Sequence, residues 1–199
     1  MLAPGPADAL LVVDVQNDFL PGGALGITGG DAIRAPINAL LAAWHKRNLP
    51  VFLSRDWHPD GHCSFAAQGG PWPVHCVAGT RGAEFAPGLA IALGDVVISK
   101  ATRQDRDAYS ALDGTPLAAA LRERGITRLF IAGLATDYCV RATGRDARAA
   151  ALDVVILADA VCAVNVQRGD GDRALAELMA EGCELSSTAA TLRAIEAPA

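Results

Sequence analysis

The chain has 199 residues, 51% of them hydrophobic and 20% charged, with a formal net charge of -5 and a pI near 5.3. That length is enough to bury a substantial core, and a single domain over residues 1–199 is expected. An acidic balance with scattered Lys and Arg offers no basic stripe for a phosphate backbone, which argues against a nucleic-acid partner.

Met1 to Asp8 is rich in Pro and Gly without a basic n-region, and the apolar run after it stops at Asp14. No signal or membrane span is expected there, and a cytoplasmic protein follows as the expectation. Short Val/Ile/Leu-rich runs then alternate with longer Ala-rich amphipathic stretches, the pattern of βαβ units around a parallel sheet covered on both faces. The predicted fold class is α/β, a doubly wound three-layer sheet. In chain order the strands are Ala9 to Val13, Pro50 to Ser54, Val96 to Ser99, Arg128 to Ala132, Val154 to Ala158 and Glu184 to Ser187. The helices between them are Asp31 to Arg47, Pro116 to Arg124, Tyr138 to Leu152 and Asp172 to Glu181, the first with Ile33, Ile37, Leu40, Leu41 and Trp44 at helical spacing. Gly125 and Gly182 stand just past two of them, where a left-handed residue closes the last turn.

One segment breaks the rhythm. Residues 56–94 hold seven glycines, four prolines, Trp57, Trp72 and three of the four histidines, with no strong period. A long connection of this kind is functional or disordered, and its aromatic content argues for an ordered site wall. His45, between Trp44 and Lys46, reads as a surface residue.

In doubly wound sheets ligands sit at the carboxyl ends of the strands, so polar residues that end apolar strands are the first candidates for chemistry. Asp14 ends the first strand, Lys100 follows the third, and the fourth leads through Gly133-Leu134-Ala135-Thr136-Asp137-Tyr138 to Cys139. A carboxylate, an ammonium and a thiol at one sheet edge make an acid/base, an electrostatic stabiliser and a nucleophile. Alone, Asp14 fits a helix cap and Lys100 a solvated charge. The five cysteines are odd in number and form no C-x-x-C pair, so reduced thiols are expected. Cys139, placed in a first helical turn, has unpaired N–H groups and Lys100 to favour its thiolate. A second constellation, Asp56, His58, His62 and His75, suits one divalent ion such as Zn, Fe or Mn, although Asp56 and His58 also fit a turn and His62 and His75 ordinary loop histidines.

Taken together, these residues resemble a known family, the isochorismatase-like cysteine hydrolases, and among them the nicotinamidases or pyrazinamidases. The resemblance runs through nearly the whole chain. It is carried by Asp14-Val15-Gln16-Asn17-Asp18-Phe19 with Pro21-Gly22-Gly23-Ala24-Leu25, by Ser54-Arg55-Asp56-Trp57-His58-Pro59 and by Trp72-Pro73-Val74-His75-Cys76. Lys100, Tyr109-Ser110 and Ala135-Thr136-Asp137-Tyr138-Cys139-Val140 complete it. It implies six parallel strands, a catalytic triad of Asp14, Lys100 and Cys139, and a divalent metal held by Asp56, His58 and His75. His62 matches a histidine that ligates in some members only. The resemblance also implies a cis peptide between Leu134 and Ala135, an oxyanion site at Ala135, and pyridine-pocket walls at Phe19, Trp72, Tyr109 and Tyr138. The activity implied is hydrolysis of a small aromatic amide, nicotinamide above all, in pyridine nucleotide salvage. A metal-free carbamoyl or ureido amidohydrolase and a catalytically idle metal-binding protein are the competing readings. Ala101 where a glycine often follows the lysine, the charged stretch 102–108, and Leu112 in place of an aromatic depart from the pattern and imply an altered pocket. The sequence leaves the metal's identity and any homo-oligomer open.

Overall fold

Six consecutive residues with no exposed side chain, Asp8–Val13, form strand β1 at the centre of the sheet. β2 (Val51–Asp56) and β3 (Val96–Lys100) extend the sheet on one side, β4 (Arg128–Leu134), β5 (Asp153–Cys162) and β6 (Glu184–Ser186) on the other, in the order β3-β2-β1-β4-β5-β6 with every pairing parallel. This computed structural model describes residues 3–197. The first two residues of the segment read as lacking a leader, and the chain's last two, lie outside the described residues.

The strands fall where the apolar runs predict, within a few residues. The largest difference is β5, which continues to Cys162 because its pairing with β4 slips between Ile131 and Gly133 and resumes. Helix α1 (Arg34–Lys46) buries Ile37, Leu40, Leu41 and Trp44, the i, i+3, i+4, i+7 stripe, with Trp44 edge-on to Phe130 at 5.3 Å between ring centroids. Pro36 falls in its first turn, where an N–H lacks a helical acceptor anyway. α2 (Leu117–Glu123), α3 (Arg141–Ala149) and α4 (Asp170–Ala180) cover the other face through Leu117, Leu121, Ala147 and Leu178. Gly125 and Gly182 close α2 and α4 with φ of 66° and 89°.

A further helix, α5 (Thr188–Glu196), was not expected. Its Thr- and Ala-rich sequence carries a weak stripe, but Ser187 Oγ caps it by accepting the Ala190 N–H at 3.2 Å, and Leu192 and Ile195 pack beside α1.

Two features shape the carboxyl edge of the sheet. At Gly133 φ is 120°, and a Cβ there would lie 2.0 Å from the Val13 carbonyl oxygen, so only glycine lets β4 come this close to β1. The long connection between β2 and β3 is ordered, with 3₁₀ turns at Ala66–Gln68 and Arg81–Ala83. The end of β1 ties it down: Gln16 Nε2 donates to Ala83 O at 2.9 Å, Asn17 Nδ2 to Arg81 O at 2.7 Å, and Asp18 Oδ2 accepts the Cys76 N–H at 2.7 Å.

Candidate active site

The ends of β1, β3 and β4 meet at this edge and bring Asp14, Lys100 and Cys139 together. Lys100, 1% exposed, is far from the solvated charge it resembles in isolation. Its Nζ lies 3.0 Å from Asp14 Oδ2 and 3.5 Å from Cys139 Sγ, donates to Ala108 O at 3.1 Å, and is ion-paired with Asp56 Oδ1. Asp14 Oδ1 accepts a bond from Ser54 Oγ at 2.7 Å. Asp14 Oδ2 faces the Lys100 ammonium, and the Asp14 carboxylate lies close to the Cys139 sulfur.

Cys139 does not open a plain α-helix. It sits in a π turn, Thr136–Val140, in which the Val140 N–H reaches back to Ala135 O at 3.0 Å before α3 begins. The peptide between Leu134 and Ala135 is cis. Burial pushes the Cys139 thiol well above its ordinary pKa; Lys100 opposes this while Asp14 and Asp56 add to it. The resting group is therefore a thiol, against the thiolate expected from the helix terminus. Burial likewise raises Asp14, outweighing the Lys100 charge, and so makes it a better base than an exposed aspartate. Lys100 is held well above its usual value because the two carboxylates more than offset its own burial.

Asp56 links this cluster to a second one. Among the described residues two sets of three donors lie within 4.8 Å of one another, Asp14/Asp56/Cys139 and Asp56/His58/His75. The Lys100 ammonium fills the first set. The second has the chemistry of a metal site. His58 Nδ1 lies 3.2 Å from Ala101 O and His75 Nδ1 2.8 Å from Pro73 O, and a carbonyl only accepts, so both protons sit on Nδ1. The two Nε2 lone pairs then face each other at 3.2 Å. That spacing repels without a cation, and it matches the ligand–ligand edge of about 3.3 Å around a tetrahedral zinc with bonds of about 2.05 Å. Burial, with His75 and His62 adding, lowers His58 to about 4, so its ring is neutral and able to ligate. Asp56 Oδ2 lies 3.8 Å from His58 Nε2.

His62 is not part of this set. Its ring stacks on His58 with centroids 4.2 Å apart, but its nitrogens are engaged by Ser64 Oγ at 2.7 Å and Arg106 O at 3.1 Å. It anchors the charged stretch after β3 to the metal loop. His45, expected at the surface, is partly covered and meets Asp95 at 2.8 Å.

Between the two clusters opens a pocket that is partly open to solvent. Phe19, Trp72, Tyr109, Tyr138, Ala135 and Cys139 line it, as do Asp56 and His75. Trp72 Nε1 donates to Tyr109 OH at 3.0 Å, and the Trp72 ring stands edge-on to Tyr138 at 5.2 Å. Sequence reasoning missed the apolar part of the wall, Leu25, Ile27 and Val164, which carry no chemical signal. It also missed the role of Gln16, whose side-chain amide accepts the Asp56 N–H at 2.7 Å and donates to Asp56 O at 2.8 Å, gripping that residue's main chain. A fully buried amide in a loop-forming stretch was the available signal. Ala101 has φ of 49°, which explains why a glycine suits that position; neither Ala101 nor Leu112 lines the cavity, so the expected alteration of the pocket at these two positions is not found.

Comparison with known proteins identifies relatives of this chain. The family profile described as the isochorismatase domain matches residues 8–190. A nicotinamidase of Acinetobacter baylyi is 37% identical over 90% of this chain and 92% of its own. Among solved structures, a Pyrococcus horikoshii pyrazinamidase in complex with zinc superposes with a TM-score of 0.88 at 44% identity, covering 92% of this chain and 99% of that one. The L. infantum protein PnC1 in complex with nicotinate also has a TM-score of 0.88, at 38% identity over 96% of this chain and 97% of its own. The chain therefore belongs to the isochorismatase family, within its nicotinamidase and pyrazinamidase branch.

Proposed function

We propose that the chain hydrolyses nicotinamide, and pyrazinamide with it, to the acid and ammonia through a thioester on Cys139. One observation carries this reading: the Cys139 thiol, with the buried Asp14 carboxylate and Lys100 ammonium behind it, opens onto a pocket walled by Phe19, Trp72, Tyr109 and Tyr138, side chains suited to a flat ring. The nicotinate bound by the L. infantum relative supports the same class of ligand.

Asp14 takes the Cys139 proton as sulfur attacks the carboxamide carbon, and the N–H groups of Ala135 and Cys139 receive the developing oxyanion. Lys100, with its fixed positive charge, opposes the burial that raises Asp14 and offsets the negative charge of the adduct. Protonated Asp14 passes its proton to the departing nitrogen as the C–N bond breaks, which releases ammonia. Ionised once more, it accepts a proton from the water that attacks the thioester and passes that proton to the sulfur as the C–S bond breaks, which restores the thiol and the carboxylate. Phe19, Trp72, Tyr109 and Tyr138 hold the ring flat against the sulfur and exclude bulk water. Asp56, His58 and His75 are the residues that would hold a divalent ion, and zinc, iron and manganese all suit one carboxylate and two imidazoles. When bound it supplies a Lewis acid for the ring nitrogen. The zinc of the P. horikoshii relative supports this assignment. A place in pyridine nucleotide salvage follows from the activity.

The test is ammonia release from nicotinamide, pyrazinamide and a ureido compound, with metal analysis of the same protein. Nicotinamide is expected to be the best substrate. Cys139→Ala is expected to release no ammonia and to keep its metal; normal turnover by that variant refutes the nucleophile assignment.

A further inference from the structure

Two residues before the nucleophile, Asp137 has no part in these steps, yet it is 4% exposed. Both oxygens of its carboxylate are occupied by main-chain donors from one distant segment: Oδ1 accepts the Val164 N–H at 2.9 Å and Oδ2 the Asn165 N–H at 2.8 Å. That segment, between β5 and α4, is held from its other side as well. Asn165, at φ of 54°, uses its own Oδ1 to accept the Gly171 N–H at 2.9 Å in the first turn of α4. A Cβ at Gly171 would lie 2.6 Å from that of Ala163, so the helix start presses directly on the segment. Val164 itself projects into the lining of the cavity, in the apolar part it shares with Leu25 and Ile27.

We propose that Asp137 is a positioning residue that fastens the Val164 wall of the ring pocket to the turn carrying Cys139. The room given to the substrate ring and the placement of the sulfur are thereby set by one carboxylate. Two hydrogen bonds to a charged acceptor are strong enough to do this, because each is worth about twice a neutral one. The chemical class admitted on this side is a flat ring without polar substituents, since Val164, Leu25 and Ile27 offer no partner for any.

This inference rests on the amidase reading, so the test carries one readout that does not. Asp137→Asn keeps the size of the side chain but turns one acceptor into a donor that faces an N–H. The KM for nicotinamide is expected to rise about tenfold, as for loss of one hydrogen bond to a charged group, with a smaller change in kcat. The rate at which iodoacetamide labels Cys139, read by peptide mass spectrometry without substrate, is expected to increase severalfold as the wall loosens. Wild-type KM together with a wild-type labelling rate, whatever happens to the melting temperature, overturns the proposal. Should D137N fail to accumulate as folded protein, Val164→Ala decides: a raised KM with kcat within about twofold supports a wall at this position, and an unchanged KM overturns it. If the unaltered protein releases no ammonia from nicotinamide, the substrate reading alone falls, and the labelling rates still judge Asp137.

Discussion

Lys100 carries the only positive charge within the cluster formed by Asp14, Asp56 and Cys139, and its removal strands two carboxylates in the interior. Breaking one partner out of such a buried set costs about 3–5 kcal/mol, so Lys100→Met is expected to lose activity and to melt well below the wild type. The deficit has a pH signature. Burial already raises Asp14 above its ordinary value of 3.8, and without the ammonium both it and Asp56, which Lys100 helps to hold below that value, are expected to shift upward. A group raised in the folded state keeps its stability below its unfolded pKa and loses it as pH rises through the folded one. The gap between wild type and variant should therefore widen from about pH 4.5 to about pH 8. Urea unfolding at both values measures it, and equal gaps would count against the account. Asp14, Lys100, Cys139, Asp56, His58 and His75 could all be picked out of the sequence because each is a reactive residue at a strand end or in a histidine-rich loop. Ser54 and Gln16 could not, since a serine in a strand and an amide after one look ordinary until their partners arrive from elsewhere. The burial that opposes ionisation of Cys139 was not visible either, because a helix terminus can be read in a sequence and burial cannot.

At the level of elements, the placement of His58 and His75 depends on how the long connection is moored. Asp18, in the 3₁₀ turn Asn17–Phe19, holds the Cys76 N–H directly after His75, and a Cβ at Gly82 would sit 2.1 Å from the same carboxylate oxygen. Cys76 has φ of 45°, so the chain beyond His75 turns sharply under that one bond. Asp18→Ala is expected to weaken metal binding by about 10–100-fold, the usual effect of losing a partner behind a ligand, while His62→Ala leaves metal stoichiometry intact. Competition with a chelator reads both, and a His62→Ala protein emptied of metal would show that this imidazole ligates after all. The strands and the first four helices were legible because their apolar runs and periods are clear, with glycine stops after α2 and α4. The π turn was not, since nothing in Thr136–Val140 distinguishes it from an α-helical start, and α5 was hidden by an Ala- and Thr-rich stretch whose stripe has only Leu192 and Ile195.

For the molecule as a whole, acid is expected to weaken the metal-free fold through a buried imidazole. Burial, with the neighbouring imidazoles, lowers His58 from 6.5 to about 4. Between those values the unfolded chain binds a proton that the folded chain refuses, so stability falls as pH drops through that window, by up to roughly 3 kcal/mol. Denaturant midpoints of metal-stripped protein across the window test this, and His58→Asn is expected to flatten the curve. The sheet order places β1 beside β4 at the centre, with the chain running outward to β3 first and outward to β6 afterwards. Asp14, Lys100, Asp56, His58 and His75 precede the turn at Asp113–Thr115, while Cys139 and Val164 follow it. Cleavage in that turn would hand the proton acceptor to one fragment and the sulfur to the other, each inert by itself. Ammonia production from the mixed pieces would then report that the two halves had found each other along the β1–β4 seam.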